Sequence, residues 1–158
     1  MAESSSPASP GKIEFVVFEL CGELFGIELS QVREVAVLPE ITPVPSMPGW
    51  LLGVVNLRGE VVPVVSLAQA IGARESGQVG NRLVVVEVGA RPVGIVIAGV
   101  PRIDRAEGAS IEPAPELVVQ RLKRDFIKGV VKQDGGLVIL LDMSAIIRVE
   151  DLTSVSQE

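Results

Sequence analysis

Phe15-Val-Val-Phe-Glu-Leu20 returns 68 positions later as Leu83-Val-Val-Val-Glu-Val88. At the same offset Phe25-Gly-Ile-Glu-Leu29 falls on Val93-Gly-Ile-Val-Ile97, and Val32 falls on Val100. A second block recurs at an offset of 76, with Gly53-Val-Val55 on Gly129-Val-Val131, Gly59 on Gly135, Val62 on Val138 and Ile71 on Ile147. The second copy therefore carries eight extra residues between the blocks. Chance matching is the rival explanation in a chain so rich in Val and Gly. The recurrence of two blocks in the same order favours a duplication.

Each copy spans about 60 residues, near the lower size at which a chain supports a core by itself. Two such units must pack on each other or share strands. Val dominates the apolar positions, and β-branched side chains favour pleated strands over helices. Short Val-rich runs separated by Gly, Pro and Asp predict strands over 13–20, 24–29, 32–38, 51–57 and 60–65. The second copy predicts 82–89, 92–99, 100–107, 127–133 and 136–141. Short helices are expected at 67–71 and 143–147, each preceded by a capping residue, Ser66 or Asp142. A further helical turn is expected over 114–124, after Pro113 and Pro115.

The expected fold is all-β: two small, mostly antiparallel barrels of about five strands each. They would cover residues 13–72 and 82–149, with exchange of strands between them left open. Residues 1–12, rich in Ser, Pro, Ala and Gly, and the polar residues 150–158 are expected to be disordered or frayed tails.

Composition narrows the function. Aromatic residues make up only 3%, so the core must be built from Val, Ile and Leu. A net charge of −6 argues against nucleic acid as the main partner. The basic cluster Arg121, Lys123, Arg124 and Lys128 reads as a solvated face. The longest uncharged stretch, Ile41 to Leu57, is broken by Pro43, Pro45, Pro48, Gly49 and Gly53, which argues against a membrane-spanning helix. The N-terminus lacks the basic start and apolar run of a secretory signal. The single cysteine, Cys21, makes no internal disulfide, and a reduced, cytoplasmic setting is expected.

The search for catalytic groups returns little. The chain has no histidine, which removes the commonest general base and transition-metal ligand. Cys21 sits in an expected hairpin turn with no histidine to activate it. No nucleophile elbow, phosphate loop or dinucleotide fingerprint is present. Glu34, Glu40 and Glu60 lack a diagnostic spacing and read as solvated charges on strands. Neither cofactor nor metal is expected. A small carboxylate-dependent hydrolase is the one enzymatic alternative.

Recognition remains. The turn Asn56-Leu57-Arg58-Gly59 aligns with Lys132-Gln133-Asp134-Gly135. Gly59 and Gly135 fit positive φ in a tight hairpin, and Gly53 with Gly129 completes a set of structural glycines. Asn56 also fits turn chemistry. Leu57 followed by Arg58 in an exposed turn is better suited to a binding site, since Arg offers a planar fork of donors. The segment Thr42-Pro-Val-Pro-Ser-Met-Pro-Gly-Trp50 has no counterpart in the second copy. Its Trp50 either fills core between barrels or forms a contact surface.

Over roughly 13–149 the chain resembles the CheW family. The resemblance rests on Phe15-Val-Val-Phe18, Gly26-Ile27, Val32-Arg-Glu-Val35 and Ile41-Thr42, and above all on Gly53-Val-Val-Asn-Leu-Arg-Gly59 followed by Val62-Pro63-Val64. It continues through Val93-Gly-Ile-Val-Ile97, Pro113-Ala-Pro115, Lys128-Gly129 and Gly136-Leu-Val-Ile-Leu-Leu-Asp142. The resemblance implies two intertwined, SH3-like five-stranded barrels. It implies a non-enzymatic adaptor between the cytoplasmic tip of a methyl-accepting chemoreceptor and the regulatory domain of a CheA-type histidine kinase, which shares the fold. By the same resemblance Arg58, Val32 and Glu34 match positions of receptor contact, and an adaptor for a non-chemotactic pathway is the alternative. Two departures stand out. Ser66 replaces a common Asp, a change that preserves capping. Ile97-Ala98 replaces a common Val-Asp, which removes a charge from the second barrel.

Overall fold

The computed structural model describes residues 11–20, 22–46, 49–71, 80–116, 124–133 and 136–147. In chain order the strands are β1 (Lys12–Leu20), β2 (Glu23–Glu28), β3 (Val32–Val37), β4 (Leu51–Leu57) and β5 (Glu60–Val65). After helix α1 (Leu67–Ile71) come β6 (Arg82–Val88), β7 (Arg91–Ile97), β8 (Arg102–Glu107), β9 (Ile127–Gln133) and β10 (Gly136–Leu141), and then helix α2 (Met143–Ile146). The first strand begins at Lys12, inside the stretch assigned to the tail. β8 begins two residues later than expected, at Arg102. Cys21 lies outside the described residues, as does most of the helical turn expected over 114–124.

The strands form two five-stranded sheets, in the orders β9-β10-β2-β1-β8 and β3-β6-β7-β5-β4. Each sheet thus combines the first two strands of one repeat with the last three of the other. The exchange of strands left open between the units 13–72 and 82–149 takes place: neither sheet is built from one repeat alone. The exchange occurs after the second strand of each repeat, at a 3-10 turn (Leu29–Gln31) in the first copy. Each sheet has two junctions between repeats, one parallel (β10 with β2, β5 with β7) and one antiparallel (β1 with β8, β3 with β6), and all pairs within a repeat are antiparallel.

The ladders bear out the duplication residue by residue. Val16 pairs with Ile103 as Val84 pairs with Val35, and Leu51 pairs with Val65 as Ile127 pairs with Leu141. Outside the strands, Thr42 bridges Val54 as Glu112 bridges Val130. At those bridges a side chain on Gly53 would collide with the Thr42 carbonyl, and one on Gly129 would come within 2.8 Å of the Glu112 carbonyl. These two glycines are needed because backbone passes too close for a Cβ.

Three apolar clusters explain why the Val runs do not alternate. Phe15, Val17, Val131, Val138 and Leu140 fill the first sheet. Their repeat equivalents Leu83, Val85, Val55, Val62 and Val64 fill the second. Residues from all five strands of the first sheet pack around its cluster once Leu24 and Ala106 are included, so the sheet curls on itself as a barrel. The other faces of the same strands meet in a shared cluster between the barrels, with Phe18, Phe25 and Ile27 against Val84, Val86, Val93 and Ile95. A strand buried on both faces reads as an unbroken apolar run. Trp50, half-buried, packs against this shared cluster. The caps form as expected: Ser66 Oγ accepts from the Gln69 amide at 3.3 Å, and Asp142 Oδ1 accepts from the Ser144 amide at 3.1 Å.

Candidate partner-binding groove

The hairpin between β4 and β5 closes in two residues, since Leu57 pairs with Glu60. Arg58 (φ 52°) and Gly59 (φ 85°) both take left-handed backbone, as a type I′ turn requires. Asn56 Oδ1 accepts the Gly59 amide at 2.9 Å and holds the turn. Asn56 and Leu57 therefore belong to the strand. Leu57 is half-buried against the cluster inside the second sheet, which corrects its expected place in an exposed turn. Gly135, in the equivalent turn, lies outside the described residues.

Arg58 is well exposed, its side chain at 69%, and pairs with the carboxylate of Glu34, whose side chain is 24% exposed. Left-handed backbone at a residue other than Gly, Asn or Asp is uncommon and carries a conformational cost. The equivalent position in the second repeat is Asp134, a residue suited to such turns. Arg58 is thus kept where turn chemistry alone prefers another residue.

Glu34 reaches Arg58 because β3 carries an irregularity. Its register against β6 shifts between Val32, opposite Val86, and Glu34, opposite Val85. The extra residue is Arg33. Its guanidinium contacts Glu87 at 2.9 Å and Glu60 at 3.0 Å. The Glu87 hydrogen bond, aided by Glu60, holds the Arg33 pKa above its ordinary value against partial desolvation. β3 and β4 are the two edges of the second sheet. Arg33 with Glu60 and Glu34 with Arg58 tie one edge to the hairpin that ends at the other.

Beside this strap an open groove of about 440 Å³ runs where the two sheets meet. Its walls are the edge strand β3, through Val32, Arg33, Glu34 and Val35, and the segment leading into the edge strand β8, through Val100, Pro101, Arg102 and Ile103. These four pairs are equivalent under the offset of 68, so the groove lies at the junction of the two repeats. Val100 is 77% exposed, Ile103 61% and Val35 40%, a concentration of apolar side chains in the open. Val32 is half-buried and also packs on the shared core.

Of the five residues singled out in the sequence, three meet here: Val32 and Glu34 on the wall, and Arg58 at the rim. Arg33, Arg82, Val35, Val100 and Ile103 were missed. The match of Val32 to Val100 was the one signal available, and strand exchange is what gives it meaning. Of the basic cluster, Lys128 is paired with Glu28 at 2.6 Å. Among the described residues, no group of three or more Asp, Glu, Cys or His side chains is placed to hold a metal ion. No helix among them is long and apolar enough to cross a membrane.

A family model, the CheW-like domain, matches residues 14–151. The chain belongs to the CheW family. It is 31% identical over 143 residues to the chemotaxis protein CheW of Klebsiella aerogenes, covering 90% of this chain and 86% of that protein. It is 27% identical over 152 residues to the chemotaxis protein CheW of Rhizobium meliloti, covering 96% and 97%. Among solved structures, the scaffolding protein TtCheW of Thermoanaerobacter tengcongensis superposes with a TM-score of 0.80 at 28% identity, covering 94% of this chain and 96% of that one. The resemblance read from the Asn-Leu-Arg-Gly turn and its flanks is borne out, and with it the all-β, two-barrel fold. The chain is a chemotaxis coupling adaptor of the CheW type.

Proposed function

We propose that this CheW-family adaptor works without catalysis, as a cytoplasmic bridge between the tip of a methyl-accepting chemoreceptor and the regulatory domain of a CheA-type kinase. The groove at the junction of the repeats takes the receptor. The observation that supports this most is its exposed apolar lining, bordered by Val32 and Glu34, with Arg58 tied to Glu34 at the rim. An apolar floor with a few charges at its edge suits a protein segment, because burial of the apolar surface drives association while the charges set register. Asn56 and Leu57 act indirectly, by fixing the hairpin that presents Arg58. The kinase domain docks barrel to barrel on a separate face. Signal passes by differential affinity: the receptor shifts the kinase between states that the adaptor holds unequally.

Charge reversal at Arg58 tests the receptor side. Arg58→Glu places like charge beside Glu34 and should weaken capture of a receptor tip fragment by tenfold or so, as loss of a charged interfacial contact does. Capture of the kinase regulatory domain should be unchanged. Unchanged receptor capture by a folded Arg58→Glu protein would remove Arg58 from the contact.

A further inference from the structure

The apolar lining of the groove is nearly symmetric between the repeats, but its charges are not. Val32 stands opposite Val100 in the repeat, and Val35 opposite Ile103. A segment with an apolar stripe would fit such a lining in either direction. Glu34, by contrast, corresponds to Arg102, and Arg82 corresponds to Glu14. Most of these charges are already engaged. Glu34 is paired with Arg58, Arg33 with Glu60 and Glu87, Arg102 with Asp104 at 2.9 Å, and Glu14 with Arg105 at 3.1 Å. Arg82 lines the groove, half-buried at the start of β6 between Val37 and Ile97, and its side chain makes no hydrogen bond or ion pair among the described residues.

We infer that Arg82 is a specificity residue of the groove: it takes a carboxylate of the receptor segment and so fixes which way that segment lies. The inference rests on the reading of the groove as the receptor site and adds to it the chemistry of the occupant. That occupant is an apolar stripe with an acidic side chain toward the Arg82 end. A guanidinium at the groove with no carboxylate partner among the described residues is free to take one from an incoming segment, and its planar fork suits that acceptor. A segment laid in reverse would leave Arg82 without its carboxylate, and the equivalent position in the other repeat, Glu14, offers no cation in its place.

The test uses the full chain, a purified cytoplasmic tip fragment of a cognate chemoreceptor, and the kinase regulatory domain. Binding is measured for wild type, Arg82→Lys, Arg82→Gln, Arg82→Glu and Val35→Glu, with thermal unfolding as the check on folding. Arg82→Gln should weaken receptor binding about fivefold and Arg82→Glu more, as expected for one interfacial charge contact. Arg82→Lys should retain most of the affinity, and kinase binding should not change. Reversal of one acidic residue on the receptor fragment should restore binding to Arg82→Glu alone. If Val35→Glu abolishes receptor binding while Arg82→Glu leaves it intact, the role of Arg82 is overturned and the groove stands. If neither change affects the receptor, the groove reading falls as well. Weakened kinase binding by Arg82→Glu, with receptor binding intact, also overturns the inference.

Discussion

Arg33 and Glu34, neighbours in the chain, both reach the tip of one hairpin, Arg33 through Glu60 and Glu34 through Arg58. Regular alternation along a strand would send them to opposite faces. The extra residue in β3 removes that constraint, as a bulge does, and lets two ion pairs of opposite polarity close one barrel. The second repeat has Pro101 and Gly136 where the first has Arg33 and Glu60, so it has no equivalent of that pair.

Those exposed pairs are screened by salt. Thermal unfolding of the wild type should therefore lose more from a rise in salt than unfolding of Arg33→Gln/Arg58→Gln. Equal salt dependence in the two proteins would show that the strap contributes nothing to closure.

Arg58 itself is retained against local preference. Arg58→Asn suits the left-handed turn better but gives up the Glu34 pair. Urea unfolding should place it within about 1 kcal/mol of wild type or more stable, while receptor capture falls. A large loss of stability would mean that Arg58 is chiefly a structural residue.

Much of this fold was legible in the sequence. Runs such as Leu83-Val-Val-Val86 are buried on both faces, and that is why they stood out and why they recur in both copies. Ser66 and Asp142 were recognisable because a helix start has a definite chemical need. Strand exchange was not legible, because the offsets are the same whether a hairpin packs with its own repeat or the other. The groove was hidden for the same reason, since Val35 and Ile103 become neighbours only through that exchange. Leu57 falls at the end of the strand expected over 51–57, but its burial was misread as exposure, because that burial depends on the curl of the sheet around Val55, Val62 and Val64. The bulge at Arg33 depends on tertiary pairing and left no mark in the sequence pattern.

Exchange has an energetic consequence. In a fragment ending before Arg82, β3, β4 and β5 lack β6 and β7, the strands that join them into one sheet. Such a fragment should show no cooperative unfolding transition. The intact chain should unfold in one step by both near- and far-ultraviolet circular dichroism. Independent folding of the fragment would contradict the exchanged topology.

Gly53→Ala and Gly129→Ala should each destabilise by about 2 kcal/mol or more, because the new methyl meets a backbone carbonyl that cannot yield easily. Gly53→Ala should be the worse, since Gly53 also has φ 150°. Urea midpoints at constant slope are the measurement. Tolerance at both positions would refute the close-approach argument.

The chain has no histidine, and among the described residues the pKa of Arg33 is raised. A base with a raised folded-state pKa contributes stability that is complete below its unfolded value and is lost only as pH rises through the folded one. For an arginine both lie far above neutrality. The unfolding midpoint should therefore be flat between about pH 6 and 7.5. A slope in that window would require a titrating group that the described residues do not supply.

The bridging role is tested most directly by ternary assembly: receptor tip fragment, this chain and kinase regulatory domain, followed by size-exclusion chromatography with light scattering. Wild type should bring all three into one complex, and Val35→Glu should keep the kinase domain while losing the receptor fragment. Mutual exclusion of receptor and kinase on the wild-type protein, or loss of both together on a folded Val35→Glu, would contradict it.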